Sequence, residues 1–157
     1  MRLFGVVAGL LVIVALAVAA ADGAFGSASY PPQGAPPPPN RAELQKLGQI
    51  ALEAATGAGD PHPTGAVVVP SIRRIAEDVD AGAGINSNLP VYFLLLHGHF
   101  TVDGPVPRGA KPPTGSIYTL TINSRTNQGM DVGVEDRMPD LYAIGEPEPL
   151  PLPTTVG

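Results

Sequence analysis

The sequence predicts an α+β domain, with one main helix packed on a three- to four-stranded antiparallel sheet and a short second helix. Three observations carry this reading. Residues 90–104 form a long alternating apolar run, and two shorter alternating runs follow at 116–123 and 130–135 with a turn between them. Residues 40–57 instead repeat their apolar side chains at helical spacing.

The run Pro-Val-Tyr-Phe-Leu-Leu-Leu-His-Gly-His-Phe-Thr-Val-Asp-Gly, closed by Pro90 and Gly104, is the expected central strand. Alternation puts Tyr92, Leu94, Leu96, Gly98, Phe100 and Val102 on one face. The other face carries Phe93, Leu95, His97, His99, Thr101 and Asp103, apolar at its start and polar at its end. One face is therefore buried, and the other emerges into water halfway along.

The chain before it begins with a targeting signal. Arg2 precedes an uncharged run over residues 3–21, and Ala19-Ala20-Ala21 satisfies the small-x-small rule for cleavage before Asp22. The alternative is an uncleaved anchor, because the run is at the lower edge of what spans a bilayer. Both readings place the remainder outside the cell, secreted or on the outer face of the membrane or envelope. Residues 22–39 end in Tyr-Pro-Pro-Gln-Gly-Ala-Pro-Pro-Pro-Pro and read as an extended, Pro-rich linker. A single α+β domain is expected over 40–145, and residues 146–157, rich in proline, read as a disordered tail.

Within the domain, Asn40 and Glu43 form a capping box, and Gly57 stops the helix. Residues 57–65 are a Gly/Pro-rich loop, and 66–69 a short β-branched strand that Pro70 ends or places at an edge. Ser71 can cap a second helix whose apolar stripe is Ile72, Ile75, Ala76 and Val79. Its wet face then pairs Arg73 with Glu77 and Arg74 with Asp78. The same residues can also continue the strand past a bulge at the proline. A hairpin with the loop Asn127-Gln128-Gly129, Gly129 being left-handed, sets Ser124 opposite Val132 and Ile122 opposite Val134. Leu141 and Ile144 anchor the segment that folds back after it.

Composition narrows the function classes. The 157 residues contain 19 Gly and 19 Pro, about twice the usual share of each, and they cluster as linkers do. The absence of cysteine excludes disulfides, thiol catalysis and Cys-type zinc sites. A net charge of −5 without a basic patch argues against nucleic acid and anionic lipid headgroups as partners. No nucleophile elbow, zinc-protease helix, phosphate loop or dinucleotide fingerprint is present, and no cofactor is implied.

Two groups of residues remain as candidate sites. His97 and His99, two apart on a strand, would share a face about 7 Å apart and could ligate one metal ion; the alternative is that they cover the wet end of the strand. Asp103, Asp131 and Glu135 form the second group, a candidate partner-binding surface with the 105–115 loop. Asp136, Arg137 and Asp140 read as a turn-stabilising charge cluster.

The order of helix, the 90–101 strand, Pro107-Arg108-Gly109-Ala110, Pro113-Thr114-Gly115-Ser116, Leu120-Thr121-Ile122-Asn123 and Pro139-Asp140-Leu141 with Gly145 resembles small exported domains of unknown function from high-GC bacteria, over about residues 40–145. More loosely, the layout is similar to the PepSY and cystatin-like topology, whose members regulate proteases or bind cargo. The Gln-x-Val-x-Gly hairpin of cystatins is absent. The resemblance implies an architecture. The functional expectation is an exported, non-enzymatic binding or regulatory module for an envelope or extracellular protein or a small ligand. A small metal-binding protein or hydrolase centred on His97 and His99 is the alternative.

Overall fold

The computed structural model describes residues 31–102 and 107–154. The leader and Asp103 lie outside them. The described chain runs α1 (Arg41–Gly57), β1 (Gly65–Ile72), α2 (Arg73–Ala81), β2 (Pro90–Thr101), β3 (Thr114–Asn123), β4 (Gly129–Glu135), α3 (Leu141–Ile144) and β5 (Glu148–Pro149). The strands form one antiparallel sheet in the order β4-β3-β2-β1-β5. The fold is α+β as expected, with one strand more than expected at the edge.

β2 is central, and residues Val91 to Leu96 are at most 1% exposed. Its even residues face α1: Tyr92, Leu94 and Leu96 join Tyr118, Leu120 and Ile122 of β3 against Leu47, Ala51 and Ala55. Small side chains on α1 let the helix lie close to the sheet. Asn40 caps it, its Oδ1 accepting from the Ala42 and Glu43 amides at 3.0 Å each. The odd residues Val91, Phe93 and Leu95 form a second cluster with Val69, Ile117, Ala76 of α2 and Ile144 of α3. Helices thus cover both faces of the sheet.

Both alternatives for the region after Pro70 hold in part. β1 continues through Pro70, which pairs with Tyr92, and α2 starts directly after Ile72. Proline is tolerated because β5 covers β1 only at Val67 and Val68, so no strand needs an N–H from Pro70 on that side. Ser71 is no helix cap: it is buried, and its hydroxyl donates to the Ile144 carbonyl at 2.9 Å.

The two proline-rich ends depart from a spacer and a free tail. Pro36 and Pro39 are buried, and the Tyr92 hydroxyl donates to the Pro37 carbonyl at 3.2 Å. Tyr92 is 1% exposed, so its hydroxyl needs a partner, and a segment without helix or sheet bonds has free carbonyls to offer. At the other end, β5 pairs with β1, and Leu150 is 4% exposed, its amide donating to the Ala66 carbonyl at 2.9 Å. Prolines at 147, 149, 151 and 153 alternate with Glu148, Leu150 and Leu152. Since strand N–H groups point to alternate sides, this spacing turns the remaining donors toward β1 and leaves none on the outer side. Gly48 permits the strap to lie against α1, because a Cβ there would collide with the Pro151 carbonyl.

The β3–β4 register also differs from expectation. Leu120, not Ser124, lies opposite Val132, and Tyr118, not Ile122, lies opposite Val134. The left-handed residue is Asn127, at φ 58°, rather than Gly129. A bulge at Met130 separates the Thr121–Asp131 and Ile122–Gly129 pairs.

Candidate functional site

His97 and His99 stand where β2 reaches the surface. His97 is half-buried and His99 exposed. A bulge separates them: His97 pairs with Ile117 and Phe100 with Gly115, so Gly98 and His99 together oppose Ser116. Beyond the bulge Phe100 keeps the face of Leu96 and Tyr118, its ring centroid 5.4 Å from that of Tyr118. The bulge is held by the loop after α1. Asp60 accepts the His99 amide at 2.8 Å and the His62 amide at 2.9 Å. Thr64 donates its amide to the His97 carbonyl at 2.8 Å, and Thr101 its amide to the Ala58 carbonyl at 2.8 Å. An open cleft of about 420 Å³ lies beside His99, bordered by Thr101, Thr114, Ser116 and Asp136. Ser116 gives Asp136 both its amide (2.9 Å) and its hydroxyl (3.1 Å). Among the described residues, no group of three or more His, Cys, Asp or Glu side chains is placed to hold a metal ion.

Asp131 and Glu135 lie in a different setting from the free surface expected of them. Both belong to a polar layer between α2 and the outer half of the sheet. A helix brings residues i, i+4 and i+7 to one face, and here these are Arg73, Glu77 and Asp80. Arg73 donates from Nε and Nη2 to the two Asp131 carboxylate oxygens, each at 3.0 Å. The Thr121 hydroxyl donates to Glu77 Oε1 at 2.6 Å, and the Thr119 hydroxyl to Asp80 Oδ2 at 2.9 Å. The expected Arg73–Glu77 and Arg74–Asp78 pairs are replaced: Glu77 is only 4% exposed, and Arg74 donates to Asn88 Oδ1 at 2.7 Å. Gly133 makes the close approach possible, since a Cβ there would stand 2.5 Å from Thr119 Oγ1 and 3.3 Å from Asp80 Oδ2.

Burial governs the electrostatics of this layer. Glu77 is pushed above the ordinary carboxylate value by burial, against the pull of the Thr121 hydrogen bond. Asp80 is pushed up to about 6, first by burial and then by the charge and hydrogen bond of Glu135. The signal that could have found Glu77 and Asp80 is their i+4 and i+7 spacing from Arg73, beside the threonine-rich odd face of β3.

The sheet has two unlike edges. β5 closes one with its alternating prolines, whereas β4 at the other carries no paired strand on its outer side among the described residues. Among the described residues, the large apolar side chains that stay exposed, Val132 at 55%, Met138 at 47% and Tyr142 at 68%, all fall on β4 or within the ten residues that follow Val132. No protein-family model, curated protein sequence or solved structure matches this chain.

Proposed function

We propose that this chain is an exported binding module without catalysis of its own, and that the open edge of β4 is its contact surface for an extended segment of a partner protein. The supporting observation is the asymmetry of the sheet: one edge is stripped of outward donors, and the other leaves its backbone and Val132 accessible. An unpaired edge strand is a template for another strand, and main-chain hydrogen bonds supply the attachment. The leader-like run with its Ala19-Ala20-Ala21 site supports a partner in the envelope or outside the cell.

Asp131 and Glu135 enter this reading as supports of β4 rather than as contacts, because Asp131 is engaged by Arg73. Reversing their charge would damage the fold, so Val132 is the informative position. A lysine at an exposed edge position blocks strand addition while leaving the domain intact. Capture from envelope and culture extracts with the wild-type chain and with Val132→Lys tests the reading. The expected outcome is a stoichiometric partner held by the wild type and lost from the variant at unchanged thermal midpoint. A partner retained equally by both would reject the edge as the contact surface.

A further inference from the structure

We infer that Asp80 and Glu135 share one proton, and that this proton latches the C-terminal end of α2 onto β4, making the seam between them a pH-sensitive device. The inference does not depend on the binding reading.

The geometry starts from an orphan. Asp80 Oδ1 is buried and has no hydrogen-bond donor, although its Oδ2 accepts from Thr119. A carboxylate oxygen left in that state carries the full cost of its lost hydration. The cost disappears if Oδ1 carries a proton and donates it. Glu135 of β4 lines the same enclosed cavity, of about 180 Å³, together with Arg137 and Asp140. Both carboxyls line that cavity, and the charge and hydrogen bonding of Glu135 are among the causes that favour a proton on Asp80.

The surroundings favour keeping the proton. Facing Asp80 on its own helix is Glu77, whose carboxyl is itself buried. β4 contributes Asp131 and Glu135, and the segment after it contributes Arg137 and Asp140. β3 contributes Thr119 and Thr121, which carry no charge. Arg73 is spent on Asp131, so the carboxyls outnumber the cations in the layer. Two carboxyls sharing such a place do not both ionise readily.

The direction follows from linkage. Asp80, pushed up to about 6 from an ordinary 3.8, binds its proton more tightly folded than unfolded. The stability this supplies is complete below about pH 4 and is lost as pH rises through about 6. Above that, the Asp80 carboxylate stands charged and buried beside Glu135, which loosens α2 from β4.

Thermal unfolding of the full chain, expressed with its leader, tests this at pH 5 and pH 8. Asp80→Asn imitates the protonated acid at every pH. Its midpoint should exceed that of the wild type at both pH values, and by about 4 °C more at pH 8 than at pH 5. An equal difference at both pH values would overturn the proposal. If Asp80→Asn fails to fold, carboxyl NMR titration of the wild type and of Glu135→Gln decides the matter. Asp80 should titrate near pH 6 in the wild type and move toward the ordinary carboxylate range in the variant. A midpoint in the ordinary range from the start, or one that Glu135→Gln leaves in place, would sink the shared proton.

Discussion

Beneath α1, the sheet presents Tyr92, Leu94, Leu96, Leu120 and Ile122 to Leu47, Ala51 and Ala55. Beneath α2, the same β3 presents Thr119 and Thr121 to Asp80 and Glu77. One strand therefore closes two layers by different means, its even residues by apolar burial and its odd residues Thr119 and Thr121 by hydrogen bonds, with Ile117 in the apolar cluster beside them. Apolar contact is non-directional and strong per side chain, whereas each hydrogen bond adds only about 1 kcal/mol net. The bonds instead set the register of α2: Arg73, Glu77 and Asp80 each have one partner at a defined height on β3 or β4. The α1 layer should therefore carry most of the stability, and the α2 layer most of the response to pH.

The sharpest way to break this comparison is Leu94→Ala. Leu94 is 0% exposed at the centre of the α1 layer, and truncation should cost about 3 kcal/mol in urea unfolding, transfer and cavity terms together. A loss well under 1 kcal/mol would mean that the layer is loosely packed and the comparison wrong.

Gly48→Ala tests whether the C-terminal strap belongs to the same layer. The added methyl meets the Pro151 carbonyl, so either α1 or the strap must shift, at a cost of about 1–3 kcal/mol. The strap bond from the Leu150 amide to the Ala66 carbonyl should then exchange faster with solvent. Unchanged stability together with unchanged protection would show that the strap is not packed on α1.

The apolar layer was legible in the sequence and the polar one was not, for a physical reason. Alternation and helical spacing report where apolar side chains go, and they located β2, β3 and α1 with the Asn40 cap. Glu77 is buried against that grain: periodicity assigns a glutamate to the wet face unless a partner such as Thr121 is known to wait across the gap. The hairpin register failed similarly, because pairing Val132 with Leu120 or with Ser124 preserves the same face for Val134, and the bulge at Met130 leaves no trace in the pattern. Proline content read as a spacer at one end and a frayed tail at the other. The alternation of prolines at 147 to 153, rather than their number, was the informative feature. Of the candidate site residues, Asp131 and Glu135 share one face of β4 as alternation predicts, but their partners on α2 went unseen. His97 and His99 fell at the wet end of β2 as expected, and the bulge between them was not foreseen.

The smallest effect, and the one that sharpens the comparison most, is Thr121→Val. The substitution keeps the shape of the side chain and removes the hydroxyl that donates to Glu77 Oε1. At pH 8 the buried carboxylate is left without that donor, and unfolding should cost about 1–2 kcal/mol less than in the wild type. The hydrogen bond favours the charged form of Glu77, so its loss raises an already raised pKa further. As pH falls, Glu77 takes up a proton, the charge that needed the hydroxyl disappears, and the penalty shrinks. Urea midpoints of both proteins at pH 8 and pH 5 read this directly. A penalty of the same size at both would mean that Thr121 acts by packing alone, as Leu94 does, and the two layers would then differ in composition but not in kind.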